Sequence, residues 1–146
     1  MSQTVDEILS SCEFRSDESD YRLLKLPANG IILAAGIVAE ASLPFSAMLA
    51  DQDEVTLLLP DDVCQEFQGR LKVATMSEVV YRLITIEAIL EPDLVGLIAR
   101  VSRALAESGI PVLVCAAYSR DHIFVPVDCF DKALAALRSL QESMRQ

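Results

Sequence analysis

Between residues 81 and 137 the chain gathers a small set of groups suited to holding a charged metabolite. Asp93-Leu94-Val95-Gly96 opens a segment of helical periodicity, so the amides of Leu94, Val95 and Gly96 stand where a helix start lacks internal partners. Amides in that position, reinforced by the helix dipole, suit a carboxylate. Asp93, Glu91 just before it and Asp121 in a later turn supply carboxylates for an ammonium group, and Tyr118 offers a ring and a hydroxyl. His122 can hydrogen-bond across a dimer interface. Each residue also has a plainer role. Asp93 suits an N-cap worth about 1 kcal/mol, Glu91 a solvated loop, Asp121 a turn and His122 an edge strand, while Tyr118 can simply pack its ring. Gly96 lacks a Cβ, which lets a ligand or a neighbouring strand come close.

Catalytic sets are harder to assemble. Ser10-Ser11-Cys12 and Cys129 are candidate nucleophiles, yet His122 is the single histidine and would have to assist any of them. There is no G-x-G-x-x-G or G-x-x-x-x-G-K-[ST] phosphate loop. Asp61-Asp62 sits at a helix start, where capping accounts for it. Cys12, Cys64, Cys115 and Cys129 are scattered without a C-x-x-C pair, so they read as reduced structural thiols rather than metal ligands. The expectation is no catalytic residue, no metal, no cofactor and no enzymatic activity.

The elements that must position the binding groups are legible from periodicity. Thr4-Val5-Asp6-Glu7 is a capping box that starts a short helix ending near Cys12 and packing as a small lid. Residues 13–20 are polar, and residues 21–26 alternate as a strand before the turn Pro27-Ala28-Asn29-Gly30. Residues 31–38 form an apolar run expected to be a strand, although its length also permits a helix. Residues 45–50 and 55–59 flank Asp51-Gln52-Asp53-Glu54 as a hairpin, and Asp61 is expected to cap a short helix ending near Phe67. Residues 80–89 are dense in β-branched and apolar side chains and read as a strand. Leu94, Leu97, Ile98, Val101 and Leu105 share one face of the following helix, which Gly109 ends. Strands over 111–117 and 122–127 precede a last helix capped by Asp128, with Phe130, Leu134, Leu137 and Met144 on its apolar side.

The formal net charge of −10, from 22 acidic against 12 basic residues, repels phosphate backbones and anionic lipid, so neither nucleic acid nor a membrane is an expected partner. The apolar runs are shorter than a membrane span, and residues 1–6 lack the basic segment of a signal peptide. A cytoplasmic protein is expected. At 146 residues the chain suits one ordinary domain or two small ones sharing a core. The change from a strand-rich to a helix-bearing half puts a boundary near residues 74–79. The expected segments are an N-terminal helix and linker over 1–19, a strand-rich module over 20–78 and a C-terminal module over 79–146.

Residues 93–110, from Asp93-Leu94-Val95-Gly96 to Ser108-Gly109-Ile110, resemble the first loop and helix of an ACT domain, with Val95 where that family commonly has proline. Ala117-Tyr118-Ser119-Arg120-Asp121-His122-Ile123-Phe124-Val125-Pro126 and Glu54-Val55-Thr56-Leu57 resemble small tandem ACT-like proteins related to the CASTOR-type amino-acid sensors. The resemblance spans about residues 20–140. It implies an α/β fold of two ferredoxin-like, ACT-type modules, each an antiparallel sheet with helices on one face. It further implies a regulatory protein that senses an amino acid or similar metabolite at a module or dimer interface. Such a protein would form a homodimer and signal through a protein effector. The competing reading is a ligand-free oligomerisation or interaction module, or a non-catalytic subunit of a metabolic enzyme.

Overall fold

A computed structural model describes residues 2–145, which form two units: residues 18–81, and residues 2–17 together with 82–145. In the unit of residues 18–81, β2 (Asp20–Pro27) leads through a 3-10 turn into α2 (Ile31–Glu40), followed by β3 (Ala47–Ala50), β4 (Glu54–Pro60) and α3 (Asp61–Glu66). The strand order is β3-β4-β2-β5, with β5 (Thr75–Glu87) contributing its residues 75–81 to this unit. β2 and β4 are antiparallel in the register Leu24↔Leu57 and Leu26↔Val55. Leu24, Leu26, Val55, Leu57 and Leu59 therefore share a face, and they pack with Ala34 and Ile37 of α2 and Val63 of α3.

The run at 31–38 is thus a helix, where a strand was expected. Ala34 and Ile37 are buried three residues apart, and Leu33, Val38 and Ala41 pack beside them, which is the 3.6-residue period of a helix face. The three alanines of α2 favour helix as well. Asp61 is not a cap. Pro60 holds that position, and the Asp61 carboxylate accepts from Arg22 Nε at 2.9 Å.

In the other unit, α1 (Val5–Ser11) and β1 (Glu13–Arg15) precede residues 82–87 of β5, then α4 (Leu97–Glu107), β6 (Leu113–Ala116), β7 (Asp121–Pro126) and α5 (Phe130–Met144). β1 pairs with β5 in the register Arg15↔Thr85, and β7 and β6 follow on the other side of β5. Leu9, Ile84, Ile86, Val101, Leu105, Ile123, Val125, Ala133 and Leu137 are sealed in one core between this sheet and its helices. Burying each leucine, isoleucine or valine side chain of this core stabilises by about 1.5–3 kcal/mol relative to exposure.

The expected first segment, 1–19 as helix and linker, is redrawn by this arrangement. The capping box forms as read, with Thr4 Oγ1 accepting from the Glu7 amide at 3.2 Å and Glu7 Oε2 from the Thr4 amide at 3.1 Å. Residues 13–15 then pair in the sheet instead of linking, because Phe14, opposite Ile86, has a core to reach. Gln141 of α5 fixes the end of α1, its Nε2 donating to the Leu9 carbonyl at 3.0 Å and the Cys12 carbonyl at 2.6 Å. Asp128 lies in a 3-10 turn ahead of α5 and makes no side-chain cap. No helix among the described residues is long and apolar enough to cross a membrane.

Candidate functional site

Where β5 ends, the chain must turn before α4, and this turn builds a cleft. The Leu90 amide donates to the Ser119 carbonyl at 2.8 Å, tying the loop to the β6–β7 turn, and the Leu94 amide donates to the Glu91 carbonyl at 3.1 Å. Gly96 follows with φ +99°, a left-handed conformation that costs an L residue about 1–2 kcal/mol. This glycine, not Asp93, is the residue that caps α4, and it supplies no side-chain hydrogen bond.

The helix therefore starts three residues later than its Asp93-to-Gly96 reading implied. Its first intrahelical bond runs from the Arg100 amide to the Gly96 carbonyl at 3.0 Å. The donors that a helix start leaves without internal partners are consequently those of Leu97, Ile98 and Ala99. The Leu94 amide, named as a carboxylate donor from the sequence, is engaged in the turn. A helix that starts through a left-handed glycine carries its sequence signal in that glycine, so Gly96 itself marked the start.

Leu97, Ile98 and Ala99 line a cleft of about 340 Å³ together with Leu90, Glu91, Pro92, Leu94, Gly96, Ala117, Tyr118 and Asp121. All of these belong to one unit. The cleft thus brings together Glu91, Leu94, Gly96, Tyr118 and Asp121 of the residues read from the sequence. Asp93 and Val95 do not line it, and the Val95 side chain points outward at 86% exposure. Tyr118 is fully exposed, with its ring at the rim. Burial pushes the Asp121 carboxyl above the usual range, while the neighbouring His122 opposes that rise.

His122 is on β7 next to Asp121, and successive strand residues face opposite sides of a sheet. Ile123 and Val125 enter the helix-covered core, so His122 is on the other face, opposite Cys115 of β6. Its Nδ1 is 2.9 Å from Thr85 Oγ1. Burial, with help from Arg15, holds the imidazole below its ordinary pKa. On the same face Glu87 accepts from Arg15 Nε at 2.7 Å and from Arg120 Nε at 2.6 Å, and both bonds lower its carboxyl pKa. Nothing local in the sequence announces this trio, because Arg15 joins Glu87 only through the β1–β5 register.

Gln3 is a further contact that sequence reading missed. Its Nε2 donates to the Ile89 carbonyl at 2.7 Å, its Oε1 accepts from the Glu91 amide at 2.8 Å, and its own amide donates to Glu91 Oε2 at 3.2 Å.

Residues 77–139 match the family model of the ACT domain. No curated protein matches the chain. Among solved structures, a Vibrio cholerae protein of unknown function, a possible transport protein, is similar with a TM-score of 0.70 and 27% identity, covering 94% of this chain and 96% of that one. An Agrobacterium tumefaciens protein reaches a TM-score of 0.70 at 16% identity, covering 89% of each chain. The ligand-free regulatory subunit of aspartate kinase from Thermus thermophilus gives 0.65 at 12% identity, over 88% of this chain and 97% of that one. The fold is therefore an ACT-like, ferredoxin-type α/β arrangement shared with aspartate kinase regulatory subunits.

Proposed function

We propose that the chain is a non-catalytic regulatory protein of the cytoplasm, built of two ACT-type modules, that binds an amino acid or similar small metabolite. The observation that carries this reading is the cleft itself. Leu97, Ile98 and Ala99 at the start of α4 and the acidic residues Glu91 and Asp121 line one small cleft together with Leu90, Leu94 and Tyr118. The amides of Leu97, Ile98 and Ala99 receive the ligand carboxylate, each charge-assisted hydrogen bond contributing about 1.5–3 kcal/mol. Asp121 and Glu91 receive the ammonium group, while Leu90, Leu94 and Tyr118 meet the side chain. The strand orders support two modules: β3-β4-β2-β5 in one unit and β1-β5-β7-β6 in the other are the same arrangement, with β1 standing as the fourth strand of the second.

A ligand changes the population of a conformation only if it binds that conformation better. A ligand that binds one placement of the loop at 89–96 better than another shifts that loop, and an effector protein that reads it receives the signal. Thermal denaturation against a panel of amino acids tests the reading, because a ligand at ~100 times its dissociation constant stabilises by about 2.7 kcal/mol. A shift confined to one chemical class of amino acid is expected. No shift with any amino acid or close analogue would sink the sensor.

One observation favours the interaction-module reading as a companion. Residues 31–39 of α2 carry no charge, and Ile32 is 87% exposed on that helix. On a chain of net charge −10, an uncharged apolar surface is where two copies approach with least repulsion. A homodimer through this surface is compatible with ligand binding elsewhere.

A further inference from the structure

We infer that Gln3 is a positioning residue for the cleft, and that the segment it belongs to sets the cleft's affinity; this rests on the ligand-binding reading above. The loop at 89–96 is longer than its own hydrogen bonds can fix: the described bonds within it and to the β6–β7 turn are those of the Leu90 and Leu94 amides. Gln3 supplies three more, two to the backbone at Ile89 and Glu91 and one to the Glu91 carboxylate.

The neighbouring residues extend this hold along the loop. Val5 Cγ2 lies 3.9 Å from where a Cβ on Gly96 would stand, and Asp6 pairs with Arg100 of α4 at 3.1 Å. Residues 3 and 6 therefore bond to the loop at its start and to the first turn of α4, and Val5 stands beside the left-handed glycine. The same segment is anchored from behind, since the capping box fixes Thr4 to α1 and Gln141 fixes the end of α1 to α5. The Gln3 side chain is thus a bracket that holds the loop backbone at Ile89 and Glu91, and its loss frees the loop without removing any group that touches ligand, while the bond from the Gln3 backbone amide to the Glu91 carboxylate stays.

The test uses the full chain with Gln3→Ala and Gln3→Met, both of which leave the Thr4–Glu7 capping box in place. Amide hydrogen exchange is read at Leu90, Glu91 and Leu94, with the amides of α5 as control. About tenfold faster exchange confined to the loop is expected, equivalent to loss of roughly one net hydrogen bond. Thermal denaturation is then read with an equimolar mixture of the proteinogenic amino acids. The wild-type shift should shrink in both variants while their ligand-free melting stays close to wild type. Unchanged loop exchange overturns the inference, and so does an amino-acid shift as large in the variants as in the wild type. If the wild type itself shows no shift, the sensor reading fails and the exchange result alone decides the role of Gln3.

Discussion

At the scale of single residues, the cleft offers tests that leave the fold alone. Tyr118 is fully solvent-exposed at the rim, so Tyr118→Ala should change stability by less than about 0.5 kcal/mol. If its ring covers the ligand, affinity should fall about three- to tenfold. Isothermal titration beside urea denaturation separates the two effects, and equal affinity would remove Tyr118 from the site. Gly96 is a poor probe by comparison: its φ of +99° means that any side chain strains the loop whether or not a ligand is involved. His122 gives a pH prediction. Its folded pKa is depressed, so the unfolded chain binds a proton that the folded chain refuses. Stability is full above the ordinary histidine pKa of about 6.5 and falls as pH drops toward the lower folded value. As the only histidine, it should account for most of the loss in urea stability between pH 7.5 and pH 5.5, and His122→Asn should flatten that slope. An unchanged slope would assign the titration to other groups.

At the scale of elements, the buried Gln141 joins α5 to the end of α1. Gln141→Leu keeps the volume and strands the carbonyls of Leu9 and Cys12, at a cost of about 1–3 kcal/mol by urea denaturation. A neutral result would mean that water replaces the amide there. The helices and strands with clear periods were legible in the sequence. The Leu97, Val101, Leu105 stripe, the Thr4–Glu7 box and the hairpin around Asp51 stand where their patterns placed them. Three features were not. The run at 31–38 is apolar on nearly every side, so packing beneath it, together with the helix propensity of its alanines, chose helix over strand. Strand β1 is three residues long and polar on its outer positions, and its one apolar residue, Phe14, acquires meaning only opposite Ile86. The start of α4 was misplaced because an aspartate resembles a cap, whereas the backbone turned at Gly96. For the site, the residue types and the turn were legible. The three amides and Gln3 were not, since one depended on a helix register and the other on a contact across the chain.

At the scale of the whole molecule, the charge and the uncharged face of α2 bear on association. Ile32→Glu places a charge on that surface without touching the core, so it should leave stability within about 0.5 kcal/mol and shift sedimentation toward monomer. Unaltered sedimentation would exclude α2 from any self-association.

In the proposed mode of binding, the helix-start amides of α4 receive the carboxylate of an amino acid. Backbone amide NMR reads those donors directly during titration with the amino acid that most raises the melting temperature. Saturable downfield shifts of the Leu97, Ile98 and Ala99 amides, with smaller changes at Glu91 and Asp121, are the result expected. Saturable binding that leaves those three amides unmoved would contradict it.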